Sequence, residues 1–149
     1  MEIQRMTVND VDDVAELDKL CFTVPWSRQA FADEMENKIA VYFTAKDNGK
    51  VIGYCGFWQA ADEADITNIA VLPQFRKQGV GGELLKSLIK KADEMGLVQI
   101  NLEVRKSNEP AKRLYEKYGF EPIGERKRYY RDNNEDAVIM SKYIGKENK

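Results

Sequence analysis

At 149 residues the chain is long enough for one domain, spanning 1–149, to bury about two-thirds of the surface its unfolded form exposes. An apolar fraction of 43% beside 32% charged residues is that of a soluble globular protein, and no apolar run approaches the roughly 20 residues of a membrane span. The net charge is only −2, and the absence of any histidine excludes Ser-His-Asp and Cys-His catalytic sets and the usual zinc ligands, so no metal is expected and base chemistry falls to a carboxylate.

Ile3 to Met6 predicts a short strand, after which Thr7, Asn9 or Asp10 caps a helix carrying Val11, Val14, Ala15, Leu17 and Asp18. Pro25-Trp26 breaks that pattern, and Ser27 caps a second helix through Phe31 and Met35. Val41 to Lys46 and Val51 to Trp58 flank Asp47-Asn48-Gly49-Lys50, and Asn-Gly between two β-rich runs predicts a hairpin because both turn residues tolerate positive φ. Asp65 to Val71 is strand-like, but Ile66 stands in one phase and Ile69 and Val71 in the other. One extra residue near Thr67-Asn68, a β-bulge, produces that slip. Gly82 to Met95 is helical, with Leu84, Leu85, Leu88, Ile89, Ala92 and Met95 on one stripe and Gly96 ending it. Val98 to Arg105 alternates apolar with polar as a strand does, Asn108 caps a helix that Gly119 ends, and Phe120 to Tyr130 and Ala137 to Tyr143 close the chain as a strand pair. The order βααβββαβαββ, antiparallel hairpins around one strand–helix–strand unit, predicts an α/β fold with a mixed sheet.

The most specific local signal is Arg76-Lys77-Gln78-Gly79-Val80-Gly81-Gly82, between a strand and a helix. Glycines there let backbone approach a ligand and turn N–H groups toward an anion at the positive end of the helix. A nucleotide P-loop would end in Gly-Lys-Ser/Thr, and here the run ends Gly-Gly-Glu. A dinucleotide fingerprint needs a third glycine where Leu84 stands and a first one directly after the strand. Neither fits.

What remains, Arg/Gln-x-x-Gly-x-Gly after a bulged strand ending Ile69-Ala70-Val71, resembles the GCN5-related N-acetyltransferase (GNAT) family over essentially the whole chain. That resemblance implies a central mixed sheet of about seven strands with a bulged, splayed strand, and acetyl-coenzyme A in the resulting V-shaped cleft. It also implies that Ile69, Ala70 and Val71 meet the acetyl and pantetheine portion and that Arg76, Lys77, Gln78, Gly79, Val80, Gly81 and Gly82 seat the pyrophosphate. Asn68 to Val71, Leu102 to Asn108, Leu114 to Phe120, Arg126 to Tyr130 and Pro25-Trp26-Ser27 resemble, within that family, the RimI-type ribosomal-protein alanine N-acetyltransferases. By that likeness Glu103 is the general base, Tyr115 protonates the departing thiolate, and Asn108 contacts the coenzyme. Pro25, Trp26, Tyr129 and Tyr130 frame the acceptor, a protein N-terminus of ribosomal origin. Arg76-Lys77 stands where the resembled enzymes often carry Gln-Arg.

Taken alone, the spacing offers plainer readings: Glu103 facing solvent, Tyr115 in a packing stripe with Ala111, Leu114 and Tyr118, Asn108 as a helix cap. Yet Asn108 and Tyr115 lie about two turns apart on a helix that follows the Glu103 strand, so all three can border one cleft. A peptide α-amine with a pKa near 7.7–8 needs only a modest base, whereas a lysine amine near 10.4 demands ~3.4 kcal/mol more. Cys21 and Cys55 lie outside the motif region and read as core packing, which makes direct attack in a ternary complex the expected course.

Charge divides the chain: residues 1–65 carry 6 Lys/Arg against 13 Asp/Glu, and residues 66–149 carry 17 against 12. A basic second half suits an anionic cofactor and an acidic first half a cationic acceptor. The basic run Arg126 to Arg131 reads as a strand edge, so neither nucleic acid nor membrane is an expected partner. Two distant cysteines and the opening Met1-Glu2-Ile3-Gln4-Arg5 point to the cytoplasm. Competing readings keep the reaction but move it to a small amine such as a polyamine or antibiotic, or make the chain a non-catalytic acetyl-coenzyme A sensor. The pairing of Glu103 with Tyr115 argues against the sensor.

Overall fold

A computed structural model describes residues 1–145. Its elements run β1 (Glu2–Arg5), α1 (Val11–Cys21), α2 (Arg28–Glu34), β2 (Ala40–Asp47), β3 (Lys50–Ala60), β4 (Glu63–Val71), α3 (Val80–Glu94), β5 (Gln99–Arg105), α4 (Glu109–Lys117), β6 (Glu121–Tyr130) and β7 (Glu135–Tyr143). The expected order holds, with element ends displaced by a residue or two. Thr7 opens a short 3-10 turn over Val8–Asp10, where its N–H donates to Asp10 Oδ2 at 2.9 Å, and α1 follows. Asn48 and Gly49 both take positive φ, 52° and 81°, turning the hairpin between β2 and β3.

Seven strands form one sheet in the order β1-β2-β3-β4-β5-β7-β6. Only β4 and β5 pair in parallel, and only from Glu63↔Gln99 to Asp65↔Asn101. Beyond Asp65 the two strands run on without pairing and open a V. Asn101 sits at its vertex, donating to Glu63 Oε1 at 2.7 Å and Asp65 Oδ1 at 3.0 Å and accepting from Ser141 Oγ at 2.6 Å. Opposite β3 the register jumps: Gly56 faces Asn68 but Phe57 faces Ile66, so Thr67 is the inserted residue of the expected bulge.

Neighbouring residues of β3 point to opposite sides, which assigns the helices to faces. Tyr54 donates its hydroxyl to Asp18 on α1, while Cys55 Sγ reaches Leu84 O on α3 at 3.5 Å. Thus α1 and α2 cover one face and α3 and α4 the other. Leu84, Leu85, Leu88 and Ala92 form the fully buried stripe of α3, each leucine stabilising the fold by roughly 2 kcal/mol through apolar burial.

Candidate active site

The open half of the V is bounded by Asn68 to Val71 on β4 and Leu102 to Arg105 on β5. After the bulge, Ile69 pairs with Cys55 and Val71 with Gly53, so both point toward α3; Ala70, paired with Tyr54, is buried toward α1. Ile100, Leu102 and Val104 are buried beneath α3 and α4, which leaves Glu103 on the α1–α2 face, as its alternation predicts. The bulge therefore gives the cleft two different sides at one level.

Arg76, Lys77, Gln78 and Gly79 are exposed on the connection from β4 to α3. The helix starts at Val80, two residues before the predicted point, because Gly79 at φ +85° makes the turn into it. No side chain caps α3, and Glu83 N is the first to bond back, to Gly79 O at 3.1 Å. The N–H groups of Val80, Gly81 and Gly82 thus open the helix without intrahelical acceptors, at its positive end. The three glycines answer three demands. Gly79 supplies the left-handed turn. A Cβ on Gly81 would lie 3.3 Å from Leu114 Cδ2, in the space between the helix entry and α4. A Cβ on Gly82 would lie 2.6 Å from the Tyr118 hydroxyl, so Gly82 lets α4 approach α3.

Arg76 folds back, its Nε donating to Val71 O at 3.1 Å, and Gln78 donates to Gln74 O at 3.2 Å. Cys21 Sγ also reaches Val71 O, at 3.5 Å, which corrects the expectation that both cysteines stand clear of the motif region. Burial raises the Cys21 thiol above its ordinary pKa, keeping it protonated.

Glu103 Oε2 pairs with Arg126 Nε at 2.7 Å. Burial first, then the neighbouring Glu103 carboxylate, raise the Tyr129 hydroxyl above its ordinary value. Tyr129 is exposed and stacks edge-on against half-buried Tyr130, ring centroids 5.1 Å apart. From the opposite face Tyr115 projects from α4, its ring 6.0 Å from Phe120. Among the described residues its hydroxyl has no hydrogen-bond partner, and burial, then Tyr130 and Cys55, hold it well above the ordinary tyrosine value. Asn108 Oδ1 accepts from Ala111 N at 3.2 Å, so the cap reading of Asn108 is realised, with its amide nitrogen left over.

Pro25-Trp26 lies between α1 and α2 on the Glu103 face. Trp26 N donates to Asp18 Oδ2 at 2.8 Å, and its ring lies 5.4 Å from Phe31 and 6.4 Å from Trp58. Asp18, 1% exposed, also accepts from Tyr54 and so anchors this connection from inside the core. Burial raises its carboxyl above the ordinary value, against the pull of those two donors. Its signal in the sequence was a charge on the apolar stripe of α1. Two further residues escaped sequence reasoning: Arg105 and Asp132. Arg105 sits 4.0 Å over the Tyr130 ring and forks onto Asp132, whose carboxyl the guanidinium, followed by the Thr23 hydroxyl, holds below its usual range. A separate hollow of about 520 Å³, lined by Lys86, Ile89, Lys90, Tyr118 and Lys142, lies away from the cleft between α3, the end of α4 and β7.

Among the described residues no helix is long and apolar enough to cross a membrane. The model of the acetyltransferase (GNAT) family matches residues 11–120. A Bacillus subtilis protein provisionally named a ribosomal protein bS18-alanine N-acetyltransferase is 43% identical over 139 residues, covering 93% of this chain and 92% of its own length. The Escherichia coli K12 protein named ribosomal protein bS18-alanine N-acetyltransferase is 34% identical over 141 residues, covering 93% and 95%. The crystal structure of the Escherichia coli ribosomal-protein-S18-alanine N-acetyltransferase superposes with a TM-score of 0.91 at 33% identity, over 99% of this chain and 96% of that one. With the splayed strands, the uncapped glycine entry to α3 and these likenesses in agreement, the chain belongs to the GNAT family and is an acetyl-coenzyme A-dependent N-acetyltransferase.

Proposed function

We propose that the chain acetylates the N-terminal alanine amine of ribosomal protein bS18, the acceptor named for its relatives in Bacillus subtilis and Escherichia coli. What supports the chemistry is that Glu103 on β5 and Tyr115 on α4 belong to opposite faces of the sheet beside the splayed strands, the Tyr115 hydroxyl having no hydrogen-bond partner among the described residues. Val80, Gly81 and Gly82 would hold the pyrophosphate of acetyl-coenzyme A on their N–H groups, with Arg76, Lys77, Gln78 and Gly79 completing that seat and Asn108 meeting the coenzyme. Ile69, Ala70 and Val71 would meet the pantetheine and acetyl portion through their backbone groups.

Glu103 takes a proton from the acceptor ammonium, directly or through one water, and the freed amine attacks the thioester carbon. The N–C bond forms and the C–S bond breaks. Sulfur leaves with the Tyr115 proton, the second nitrogen proton returns to Tyr115, and the proton on Glu103 passes to water. A phenol held above its ordinary value is a weak acid, so it serves first as a hydrogen-bond donor to sulfur as charge develops there. Arg126 is the cation that the incoming ammonium meets at Glu103. Pro25, Trp26, Tyr129 and Tyr130 frame the peptide.

Acetylation of a peptide bearing the bS18 N-terminus, beside peptides with internal lysines and a set of small amines, reads the acceptor by mass spectrometry. The terminal alanine peptide is expected to be used with the highest kcat/KM; preference for a small amine overturns the assignment.

A further inference from the structure

Arg105 ends β5 on the same face as Glu103. Its guanidinium engages Asp132 with both arms, Nη1 to Oδ1 at 3.1 Å and Nη2 to Oδ2 at 2.8 Å. Nη1 also reaches Asn133 Oδ1 at 3.2 Å and Glu135 Oε1 at 3.5 Å, and Cζ lies over the Tyr130 ring, 4.0 Å from its centre. Asp132 Oδ2 accepts a second time, from Thr23 Oγ1 at 2.9 Å, in the connection that carries Pro25 and Trp26. Glu135 in turn accepts from Ser107 N at 2.6 Å, next to the Asn108 cap of the helix bearing Tyr115. One side chain thus joins β5, the β6–β7 turn, the α1–α2 connection and the approach to α4.

Within the hairpin the turn is braced by Arg128 N–H and Lys127 Nζ on Asp136, at 2.9 and 3.3 Å, and by Glu135 N–H on Asn133 Oδ1 at 3.0 Å; its ties to the rest of the fold run through Arg105, Thr23 and Ser107 N. Every residue from Glu121 to Tyr129 is exposed. Between Arg126↔Ala137 and Tyr130↔Glu135 the β6–β7 ladder has no paired residues. Tyr129 is exposed and unpaired, and Tyr130, half-buried, pairs with Glu135 only where the ladder resumes.

We infer that Arg105 is a positioning residue for the acceptor: through Asp132 and Thr23 it clasps the β6–β7 turn to the α1–α2 connection, and by stacking it sets Tyr130. The inference rests on reading those two segments as the acceptor walls. Arg105 touches no reacting atom; it pre-forms the groove, so the acceptor is not charged with ordering both walls when it binds. A planar two-armed fork that also stacks is particular to arginine, and lysine cannot reproduce it.

The test is steady-state kinetics with acceptor peptide and acetyl-coenzyme A varied separately. Arg105→Met is expected to raise the acceptor KM about tenfold or more while the acetyl-coenzyme A KM stays within about twofold, and Arg105→Lys is expected to recover little of the loss. Thr23→Val, an exposed change that leaves the core untouched, should raise the acceptor KM about threefold, and adding it to Arg105→Met should do almost nothing further, because both act through one clasp. An unchanged acceptor KM in folded Arg105→Met and Thr23→Val, or a parallel rise in the acetyl-coenzyme A KM, overturns the inference. If Arg105→Met does not fold, Thr23→Val alone decides by the same split. A wild-type enzyme that acetylates a small amine and not the peptide defeats the acceptor assignment on its own, and the variants assayed on that amine still decide the role of Arg105.

Discussion

On the α3 side of the cleft, Leu84, Leu85 and Leu88 are fully buried and the helix entry is a short run of backbone pressed between β4 and α4. On the β6 side, exposed strand residues are held by ion pairs, Arg126 to Glu103 and Arg105 to Asp132. The first wall takes its shape from apolar packing, which is hard to deform and insensitive to salt. The second takes it from charged contacts among long side chains, which are weaker singly and adjustable together. A wall meant for the same coenzyme at every turnover can be rigid, whereas a wall meant for a protein chain profits from yielding.

Three substitutions probe the rigid wall and the chemistry beside it, and a fourth, far from both, probes the fold alone. The largest effect is expected from Glu103→Gln, with kcat/KM down by about 10²-fold or more and acetyl-coenzyme A affinity retained. A wild-type kcat/KM in that variant would leave Glu103 as a partner of Arg126 only. Tyr115→Phe should lower turnover by roughly 10²-fold while the melting temperature hardly moves, since among the described residues the lost hydroxyl has no partner to strand. A coenzyme analogue with a better thiolate leaving group should restore part of the rate, and near-normal turnover would hand the donor role to water.

Gly81→Val tests the rigid wall. Its new side chain enters a space where Leu114 Cδ2 already stands 3.3 Å from the Cβ position, so acetyl-coenzyme A binding should weaken about tenfold, ~1.4 kcal/mol by calorimetry. Unchanged affinity in a folded variant rejects the loop as the phosphate seat. The smallest effect lies far from both walls, at Asp10. Burial opposes its charge, but the Lys46 ammonium at 2.8 Å and the Thr7 N–H outweigh burial and hold the carboxyl below its ordinary value. A lowered carboxyl contributes stability above its unfolded value, about 3.9, and loses it as pH falls through the folded value. Asp10→Asn should therefore be less stable than wild type at pH 7, with the gap closing below about pH 4. A gap that persists in acid removes charge from the explanation.

Local signals carried much of the fold and part of the site. The slipped alternation around Thr67 located the bulge, because side-chain parity in a strand is fixed by geometry and an insertion must show. Gly79 marked the helix entry for the same reason: only a few residues meet its backbone demand. What stayed illegible depends on partners distant in sequence. Arg105 read as one polar position in an alternating strand, and nothing local announces that Asp132 and Thr23 converge on it. Cys21 read as packing, yet the fold brings it against Val71 O across fifty positions of chain. Asp18 was visible as an oddity on an apolar stripe, but its two donors, Tyr54 and Trp26 N, come from a strand and a loop that only the tertiary fold supplies.

Strand β6 closes one margin of the sheet, and its outer row of N–H and C=O groups faces solvent over Glu121–Tyr130. An open margin of that kind invites pairing with the same margin of another molecule, the first step toward sheet-to-sheet polymerisation. This strand discourages it with Pro122, with Glu121, Glu125, Arg126, Lys127 and Arg128 set along it, and with two breaks in its ladder. The charges that shape the acceptor wall therefore also act as gatekeepers against self-association. Redesign of acceptor preference by neutralising β6 carries a colloidal cost, and replacing those charges with others is the safer route.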